Sequence, residues 1–239
     1  MQSTEPKLLI DAGNSTVKVG VFKRGRVELV RRVPTEEILK DPKLLKELSG
    51  EFKGEVGVAS VVPEVSELIR EFFPDSKFVK LERELPVKIH YAGEMGPDRI
   101  ANILGGSTFF KSFIVASFGT ATVVDVVINR EFKGGIILPG LKLMARALKE
   151  GTALLPEVKS FKSSKLGMKT RECIESGILR GTYGAVLSVK REFPGVPLIL
   201  TGGYSRLIGR LLNGILVEEL TLLGIANFLS YKGGTKSPR

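Results

Sequence analysis

The sequence predicts an α/β protein made of two similar halves. Each half begins with an apolar strand, a turn that contains glycine and hydroxyl side chains, and a second strand rich in β-branched residues. The two turns fall at residues 13–16 and 119–122. Helices and further strands then follow in a matching order in both halves. We therefore expect a duplicated α/β unit, with the join near residue 110.

The first half is predicted to open with a meander of three strands. Residues 7–22 and 27–33 are mostly apolar or β-branched, and Lys23-Arg24-Gly25 is a typical turn between them. A single helix is expected over residues 35–48, with Thr35 as its N-cap and Gly50 as its stop. The other elements expected are a strand at residues 56–62, a helix at 65–73, a strand near 78–81 and a helix at 100–110.

The second half is predicted to repeat this order. A hairpin at residues 114–128 and a strand near 131–138 form the second meander. The other elements expected are helices at residues 141–149 and 170–190, a strand at 197–200, and helices at 205–212 and 220–229. The composition of residues 232–239 predicts a disordered tail.

Composition narrows the class of protein. The chain has no apolar run of about 18 residues and no signal-peptide pattern at its start, so we expect a cytoplasmic protein without membrane association. One cysteine and one histidine exclude internal disulfides and zinc sites built from several such side chains. The formal net charge of +10 favours an anionic ligand. Basic residues are not interleaved with aromatic ones, which favours a small polyanion such as ATP over nucleic acid.

Several short motifs occur in a fixed order along the chain. They are Asp11-x-Gly13-Asn14-Ser15-x-x-Lys18, Ala59-Ser60-Val61-Val62-Pro63, Gly96-Pro97-Asp98-Arg99-Ile100-Ala101-Asn102, Gly119-Thr120-Ala121-Thr122-x-x-Asp125, Gly134-Gly135-x-x-x-Pro139-Gly140 and Thr201-Gly202-Gly203. Each motif alone is common, but their order and combination resemble the type III pantothenate kinases, which belong to the superfamily of sugar kinases, actin and heat-shock ATPases. The resemblance covers nearly the whole chain.

The resemblance implies a fold, a reaction and an assembly. The fold would consist of two duplicated ribonuclease-H-like (actin-like ATPase) half-domains, residues 1–110 and 111–239, with the active site in the cleft between them. The reaction would be ATP-dependent phosphorylation of pantothenate to 4'-phosphopantothenate, the first step of coenzyme A biosynthesis. It would need Mg²⁺ and a monovalent cation, K⁺ or NH₄⁺. The assembly would be a homodimer.

The first turn is the expected ATP site. Asp11 ends an apolar strand, where one carboxylate can face a magnesium-bound phosphate. Glycine and hydroxyl groups in the turn would bind phosphate oxygens, and Lys18 would add a positive charge. The alternative is a plain hairpin in which Lys18 faces solvent. The ATP-binding residues implied are Asp11, Ala12, Gly13, Asn14, Ser15, Thr16, Val17, Lys18 and Thr120.

Asp98 is the expected general base. Its carboxylate could accept the proton of the pantothenate hydroxyl group as the new phosphorus–oxygen bond forms. Arg99 could bind the pantothenate carboxylate through two donors, and Gly96 would leave room for the substrate. The alternative is a helix start, in which Asp98 is a cap and Arg99 forms a surface ion pair.

The resemblance also implies the remaining substrate contacts. The substrate-binding residues would be Tyr91, Gly96, Pro97, Asp98, Arg99 and Thr170. Lys169 stands where the family usually has asparagine, and the segment from Tyr91 to Gly96 is shorter than the family pattern. Thr170 could equally be the N-cap of the helix that follows.

Ser117 is the main departure from the family pattern. It occupies the place of an aspartate that is associated with the monovalent cation. A neutral oxygen replaces a full negative charge there, so we expect weaker cation affinity. Asp125 is retained farther along the next strand.

Two other functions stay open at this point. One is phosphorylation of another small hydroxy compound, because the phosphate-binding turns do not specify the acceptor. The other is a degenerate, non-catalytic role in regulation or nucleic-acid binding, which Ser117 and the net charge of +10 favour. Asp11, Lys18, Asp98 and Arg99 favour a kinase. The chain has neither a Gly-Lys-Ser/Thr phosphate loop nor a Gly-x-Gly-x-x-Gly fingerprint, so the nucleotide folds built on those motifs are not expected.

Overall fold

A computed structural model describes residues 5–50, 52–81, 85–162 and 165–231. The described elements, in chain order, are β1 (Lys7–Ala12), β2 (Thr16–Lys23), β3 (Arg26–Pro34), α1 (Thr35–Lys40), α2 (Lys43–Ser49), β4 (Val56–Ser60), α3 (Pro63–Phe72), β5 (Lys77–Phe78), α4 (Pro97–Gly106), β6 (Phe113–Phe118), β7 (Ala121–Ile128), β8 (Glu131–Pro139), α5 (Leu141–Glu150), α6 (Thr170–Glu192), β9 (Leu198–Thr201), α7 (Ser205–Gly209), β10 (Ile215–Leu216) and α8 (Leu220–Ser230). The tail predicted at residues 232–239 lies outside the described part.

The strands form two five-stranded sheets with the same topology. The first has the order β3-β2-β1-β4-β5, and the second, taken from its opposite edge, has the order β8-β7-β6-β9-β10. In each sheet the hairpin is antiparallel and the following strand, β4 or β9, lies parallel to the first. This repetition confirms the predicted α/β fold with duplicated halves.

The chain divides into two compact units. The first contains the described residues up to Lys111, a short piece at Asn129–Phe132, and the described residues from Glu219 onward. The second contains Ser112–Ile128 and Lys133–Glu218. Helix α8 therefore packs within the first unit, whereas the sequence-based division assigns it to the second half. No helix in the described ranges is both long and apolar enough to cross a bilayer.

The single helix expected over residues 35–48 is wrong, because the structure has two short helices there. The break falls at Asp41 and Pro42, where proline lacks an N–H group and disfavours helical backbone at the residue before it. Thr35 is not the N-cap either: Pro34 holds that position, and the Thr35 hydroxyl donates to the Gly13 carbonyl at 2.6 Å. Gly50, with φ of 60°, ends α2 as predicted.

Helix α8 covers the first sheet at glycine positions. Gly20 and Gly57 both lie close to α8. A Cβ atom on Gly20 would lie 2.9 Å from the side chain of Leu222, and one on Gly57 would lie 2.6 Å from that of Ile225. Helix α4 packs on α8 in turn, and a Cβ atom on Gly224 would lie 1.7 Å from the Ala101 carbonyl oxygen. The two helix backbones are therefore in direct contact, which fixes α4 against the sheet.

Candidate active site

Three charged side chains form a row across the first sheet. Asp11 pairs directly with Lys18 between β1 and β2, and Lys18 pairs directly with Arg32 between β2 and β3. Residues directly opposite each other in antiparallel strands project from the same face of the sheet. The strand register therefore places Asp11, Lys18 and Arg32 side by side at the end of the strands next to the first turn.

Lys18 is buried among carboxylates. It is 8% exposed, its Nζ lies 3.3 Å from Glu219 Oε2, and it lies 4.0 Å from Asp11 Oδ2. Arg32 contacts the other oxygen of Glu219 at 3.4 Å. The alternative in which Lys18 faces solvent from a plain hairpin is therefore wrong. Glu219 was not predicted, since it lies 201 positions from Lys18 in the chain and belongs to none of the motifs.

The environment of Asp11 favours its neutral form. The pKa of this carboxyl group is raised to about 6: burial is the largest cause and raises it, Lys18 and Arg32 lower it, and the nearby charges of Asp98 and Glu219 also raise it. The influence of Asp98 on Asp11 shows that these two carboxylates share one electrostatic neighbourhood. Carboxyl groups with raised pKa values are typical of functional sites.

Asp98 lies in the first turn of α4. Burial raises the pKa of its carboxyl group, whereas hydrogen bonds from the backbone N–H groups of Asp98 and Arg99 and the charge of Arg99 lower it. The N-cap residue is Gly96, and a Cβ atom there would lie 2.6 Å from Asp98 Oδ1. Gly96 therefore leaves room for the carboxylate. Pro97 occupies the first helical position, which its fixed φ suits.

Arg99 lies inside the first unit and not on its surface. It is 6% exposed, and its guanidinium group lies 5.2 Å from the ring centre of Tyr91 and 6.0 Å from that of Phe132. One of its N–H groups donates to the Tyr91 hydroxyl oxygen at 3.1 Å. The alternative of a surface ion pair is therefore wrong. Phe132 was not predicted, because no local pattern links it to residues 91–99.

The other residues at the first turn differ in whether their side chains are buried or exposed. Ala12 and Val17 pair with each other and their side chains lie in the apolar core, so only their backbones are open to a ligand. Asn14 and Ser15 are exposed at the tip of the turn, and Thr16 begins β2 half-buried. Gly13 donates its N–H to the Thr16 carbonyl at 3.0 Å, which closes the turn.

In the second unit, Ser117 is the counterpart of Asp11. Each is the next-to-last residue of the first strand of its hairpin, β6 or β1. Asp125 is 1% exposed, and its pairing with Val115 places it on the same face of the sheet as Ser117. The hydroxyl of Thr122 is buried with no hydrogen-bond partner within the described residues.

Two further predicted residues of the second unit are exposed. Thr120 lies at the tip of the second turn, where its carbonyl accepts the Gly140 N–H at 2.9 Å. A Cβ atom on Gly140 would lie 2.3 Å from the Gly119 carbonyl oxygen, which explains the glycine there. Thr170 is the first residue of α6, and the N-cap position belongs to Lys169, so Thr170 is not the N-cap.

The carboxylate side chains of this site suit Mg²⁺ that is bound together with a phosphate. They do not suit a metal ion whose ligands are all protein side chains. Within residues 5–50, 52–81, 85–162 and 165–231, no group of three or more histidine, cysteine or acidic side chains could hold a metal ion. Magnesium commonly takes one or two carboxylates together with phosphate oxygens and water. Asp11, at the end of β1, can supply one such carboxylate.

Comparison with known proteins decides the family. A sequence profile described as type III pantothenate kinase matches residues 7–192. The chain belongs to the type III pantothenate kinase family. A family member from Thermosipho melanesiensis is 34% identical over 93% of this chain and 97% of its own length. One from Kosmotoga olearia is 35% identical, over 93% of this chain and 95% of its own.

Solved structures agree on the fold. A Campylobacter jejuni protein, provisionally assigned to the Baf family of transcriptional activators, has a TM-score of 0.64 at 20% identity, covering 93% of this chain and 96% of its own. The ethanolamine utilization protein EutJ from Carboxydothermus hydrogenoformans has a TM-score of 0.56 at 14% identity, and the match covers 94% of this chain and 90% of EutJ. These likenesses concern the fold alone.

Asp11 is expected to destabilise the folded protein at neutral pH. Its folded-state pKa of about 6 exceeds the ordinary 3.8, so the folded state gives up stability as pH rises from the lower to the higher value. Asp11→Asn should therefore raise the free energy of unfolding by about 1–3 kcal/mol at pH 8. The gain should disappear near pH 3.5. Urea unfolding at both pH values measures it.

The exposed residue Asp75 offers a matched control for this experiment. Asp75→Asn removes the same charge on the surface and should change stability by less than about 0.5 kcal/mol at either pH. An Asp11→Asn protein less stable than wild type at pH 8 would contradict the prediction.

Proposed function

We propose that this chain transfers the γ-phosphoryl group of ATP to the primary hydroxyl group of pantothenate, giving 4'-phosphopantothenate and ADP. The observation that carries the proposal is the common neighbourhood of Asp11, Lys18 and Asp98 in the first unit of a chain of this family. The relatives from Thermosipho and Kosmotoga, named type III pantothenate kinases, match over nearly their whole length, which supports the same reaction here.

Asp98 is the proposed general base. The proton of the hydroxyl group passes to its carboxylate while the hydroxyl oxygen bonds to the γ-phosphorus and the bond from that phosphorus to the ADP oxygen breaks. Burial supports this role, because a raised pKa makes the carboxylate a better proton acceptor near neutral pH. The N–H groups that hold the carboxylate fix its direction at the start of α4.

ATP is proposed to bind at the first turn. Asp11 would hold Mg²⁺, which neutralises phosphate charge when bound, and Lys18 would contact a phosphate oxygen. The backbone of residues 12–17 would surround the phosphates, with Thr120 as a further contact. Burial of Lys18 supports this role, because its ammonium group has few water molecules to lose when a phosphate arrives.

Arg99 is proposed to bind the pantothenate carboxylate. The rings of Tyr91 and Phe132 and the Tyr91 hydroxyl hold the guanidinium group in one orientation, which favours a two-donor contact with a carboxylate. Gly96, Pro97 and Thr170 complete the proposed set of substrate contacts.

A weak dependence on monovalent cations is proposed for wild type. Ser117 supplies a neutral oxygen at the position where the family resemblance implies aspartate, and the buried carboxylate of Asp125 shares its face of the sheet. K⁺ or NH₄⁺ is therefore expected to bind loosely.

Restoring the carboxylate tests this role. Ser117→Asp should increase the stimulation of turnover by K⁺ about threefold or more over wild type, because a full charge attracts a cation better than a hydroxyl group. Turnover is measured over a KCl series at constant ionic strength, with Ser188→Asp on the exposed side of α6 as control. A Ser117→Asp protein that gains neither activity nor K⁺ dependence would contradict the assignment.

A homodimer is also proposed. Three large apolar side chains of the second unit are strongly exposed in a single chain, namely Leu154 at 92%, Leu166 at 82% and Met168 at 94%. Contact of these side chains with a second copy would remove apolar surface from water, which supports the proposal. Light scattering should give a molar mass of twice 26.0 kDa.

The decisive experiment measures ADP formation with pantothenate and with a panel of other small alcohols, each with and without K⁺. Turnover that depends on pantothenate supports the proposal. Turnover only with another alcohol would favour a different acceptor, and no turnover with any alcohol would favour the non-catalytic alternative.

A further inference from the structure

Glu219 joins two cations of the first sheet. It precedes α8, and its two carboxylate oxygens contact different partners: Oε2 lies 3.3 Å from Lys18 Nζ, and Oε1 lies 3.4 Å from an Arg32 nitrogen. The Glu219 side chain is 23% exposed and that of Lys18 is 10% exposed. The ion pair is therefore largely shielded from water, where charge interactions are stronger than on an open surface.

The Lys18 ammonium group lies closer to the Glu219 carboxylate than to the Asp11 carboxylate. Its distance to Glu219 is within hydrogen-bond range, whereas the 4.0 Å to Asp11 is not. A buried ammonium group pairs with whichever carboxylate lies within reach. Without Glu219, Lys18 would need to move by only about 1 Å to convert its 4.0 Å ion pair with Asp11 into a hydrogen-bonded one.

The position of Glu219 is fixed by the helix that it precedes. The next residue, Leu220, is fully buried, and the Thr221 hydroxyl donates to Asn102 Oδ1 of α4 at 2.9 Å. Gly224 then brings α8 into backbone contact with α4. A carboxylate at the amino end of a helix is also favoured by the helix dipole. Glu219 thus holds Lys18 from a rigid support.

We propose that Glu219 is a positioning residue that holds Lys18 beyond hydrogen-bond distance of Asp11, so that the ammonium group keeps N–H donors for an ATP phosphate and the Asp11 carboxylate keeps its oxygens for Mg²⁺. This inference rests on the proposed function, in which Lys18 binds phosphate. Loss of Glu219 lets Lys18 and Asp11 neutralise each other, and incoming Mg²⁺–ATP must then separate them.

Nucleotide binding to Glu219→Gln, measured by titration calorimetry, tests the inference. The Kd for Mg²⁺–ATP should rise about tenfold, as a competing ion pair worth about 1.4 kcal/mol would require. Adenosine, which has no phosphate, should bind as it does to wild type. In the kinase assay the KM for ATP should rise while kcat changes by less than about threefold, because the bound complex recovers the correct arrangement.

Two further variants separate positioning from folding. Glu219→Asp keeps the charge but is one methylene shorter, so it should lose about threefold in ATP affinity. If Glu219→Gln does not fold, the Glu219→Asp variant tests the inference by itself. A Glu219→Asp protein that binds ATP as tightly as wild type would then overturn the inference. In a Lys18→Gln background, Glu219→Gln should have no further effect on ATP binding, because the proposed action runs through Lys18.

Glu55 provides the matched control. It also lies between two cations, Lys7 at 3.1 Å and Lys77 at 2.6 Å, at the opposite end of β1. Glu55→Gln removes the same kind of charge from the same sheet and should leave ATP binding unchanged.

The outcomes separate this inference from the proposed function. If Lys18→Gln weakens ATP binding and Glu219→Gln does not, the positioning role is wrong and the ATP site stands. If Glu219→Gln weakens binding of adenosine as much as that of ATP, the residue is structural and the inference is overturned. If wild type binds ATP but does not phosphorylate pantothenate, the acceptor is wrong and the nucleotide results still test Glu219.

Discussion

Asp98→Asn is expected to lower kcat about 10²–10⁴-fold while leaving the Kd for ATP nearly unchanged. The amide has the shape of the carboxylate and can still accept the backbone N–H groups at the start of α4, but it cannot take the hydroxyl proton. The helix start should therefore survive, with a change in stability below about 1 kcal/mol. Steady-state kinetics with pantothenate, calorimetric titration with ATP and thermal unfolding measure the three quantities.

Glu94→Gln is a suitable comparison for Asp98→Asn. Glu94 is exposed and lies only a few positions before Asp98, so its replacement removes a nearby charge without touching the carboxylate. It should leave kcat within about twofold of wild type. Near-normal turnover of Asp98→Asn would remove Asp98 from the role of base and return it to that of a helix-start residue.

Gly224→Ala is expected to lower the free energy of unfolding by about 3 kcal/mol or more. The added Cβ atom would lie 1.7 Å from the Ala101 carbonyl oxygen, a backbone atom that cannot turn aside. Helices α4 and α8 must then separate. Since α4 carries Asp98 and Arg99, we expect the remaining folded protein to lose most of its activity too.

Gly177→Ala in α6 is the control for this substitution. A Cβ atom on Gly177 meets no atom within 4 Å, and alanine favours helix over glycine, so stability should rise by about 0.5–1 kcal/mol. Urea unfolding of both variants gives the comparison. Wild-type stability of Gly224→Ala would show that the helices are not in backbone contact.

The fold could be predicted because its signals are local. Runs of β-branched residues with glycine turns indicate the two meanders, and the structure has a strand for each of them. The missed break in the first helix was also local, since Pro42 with Asp41 before it is a recognised stop signal. The prediction relied on Thr35 as the N-cap and Gly50 as the stop and did not use the proline between them.

The contacts of the site could not be predicted in the same way. Lys18 and Arg99 were predicted to bind ligands, but their burial could not be predicted, because it depends on residues that fold against them from far along the chain. Glu219 reaches Lys18 from the start of α8, and Phe132 reaches Arg99 from the start of β8. Only tertiary packing brings such pairs together, so no motif spacing encodes them.

Because α8 belongs to the first unit but is synthesised last, the first unit cannot complete its folding until the second unit has been translated. When residues up to Lys111 have been synthesised, the surface of their sheet at Gly20 and Gly57 still lacks the helix that fills it. The whole second unit must be translated before Leu222 and Ile225 arrive. The nascent first unit therefore carries an uncovered apolar face while the second unit is translated, and its ion pair between Lys18 and Glu219 forms only when α8 emerges.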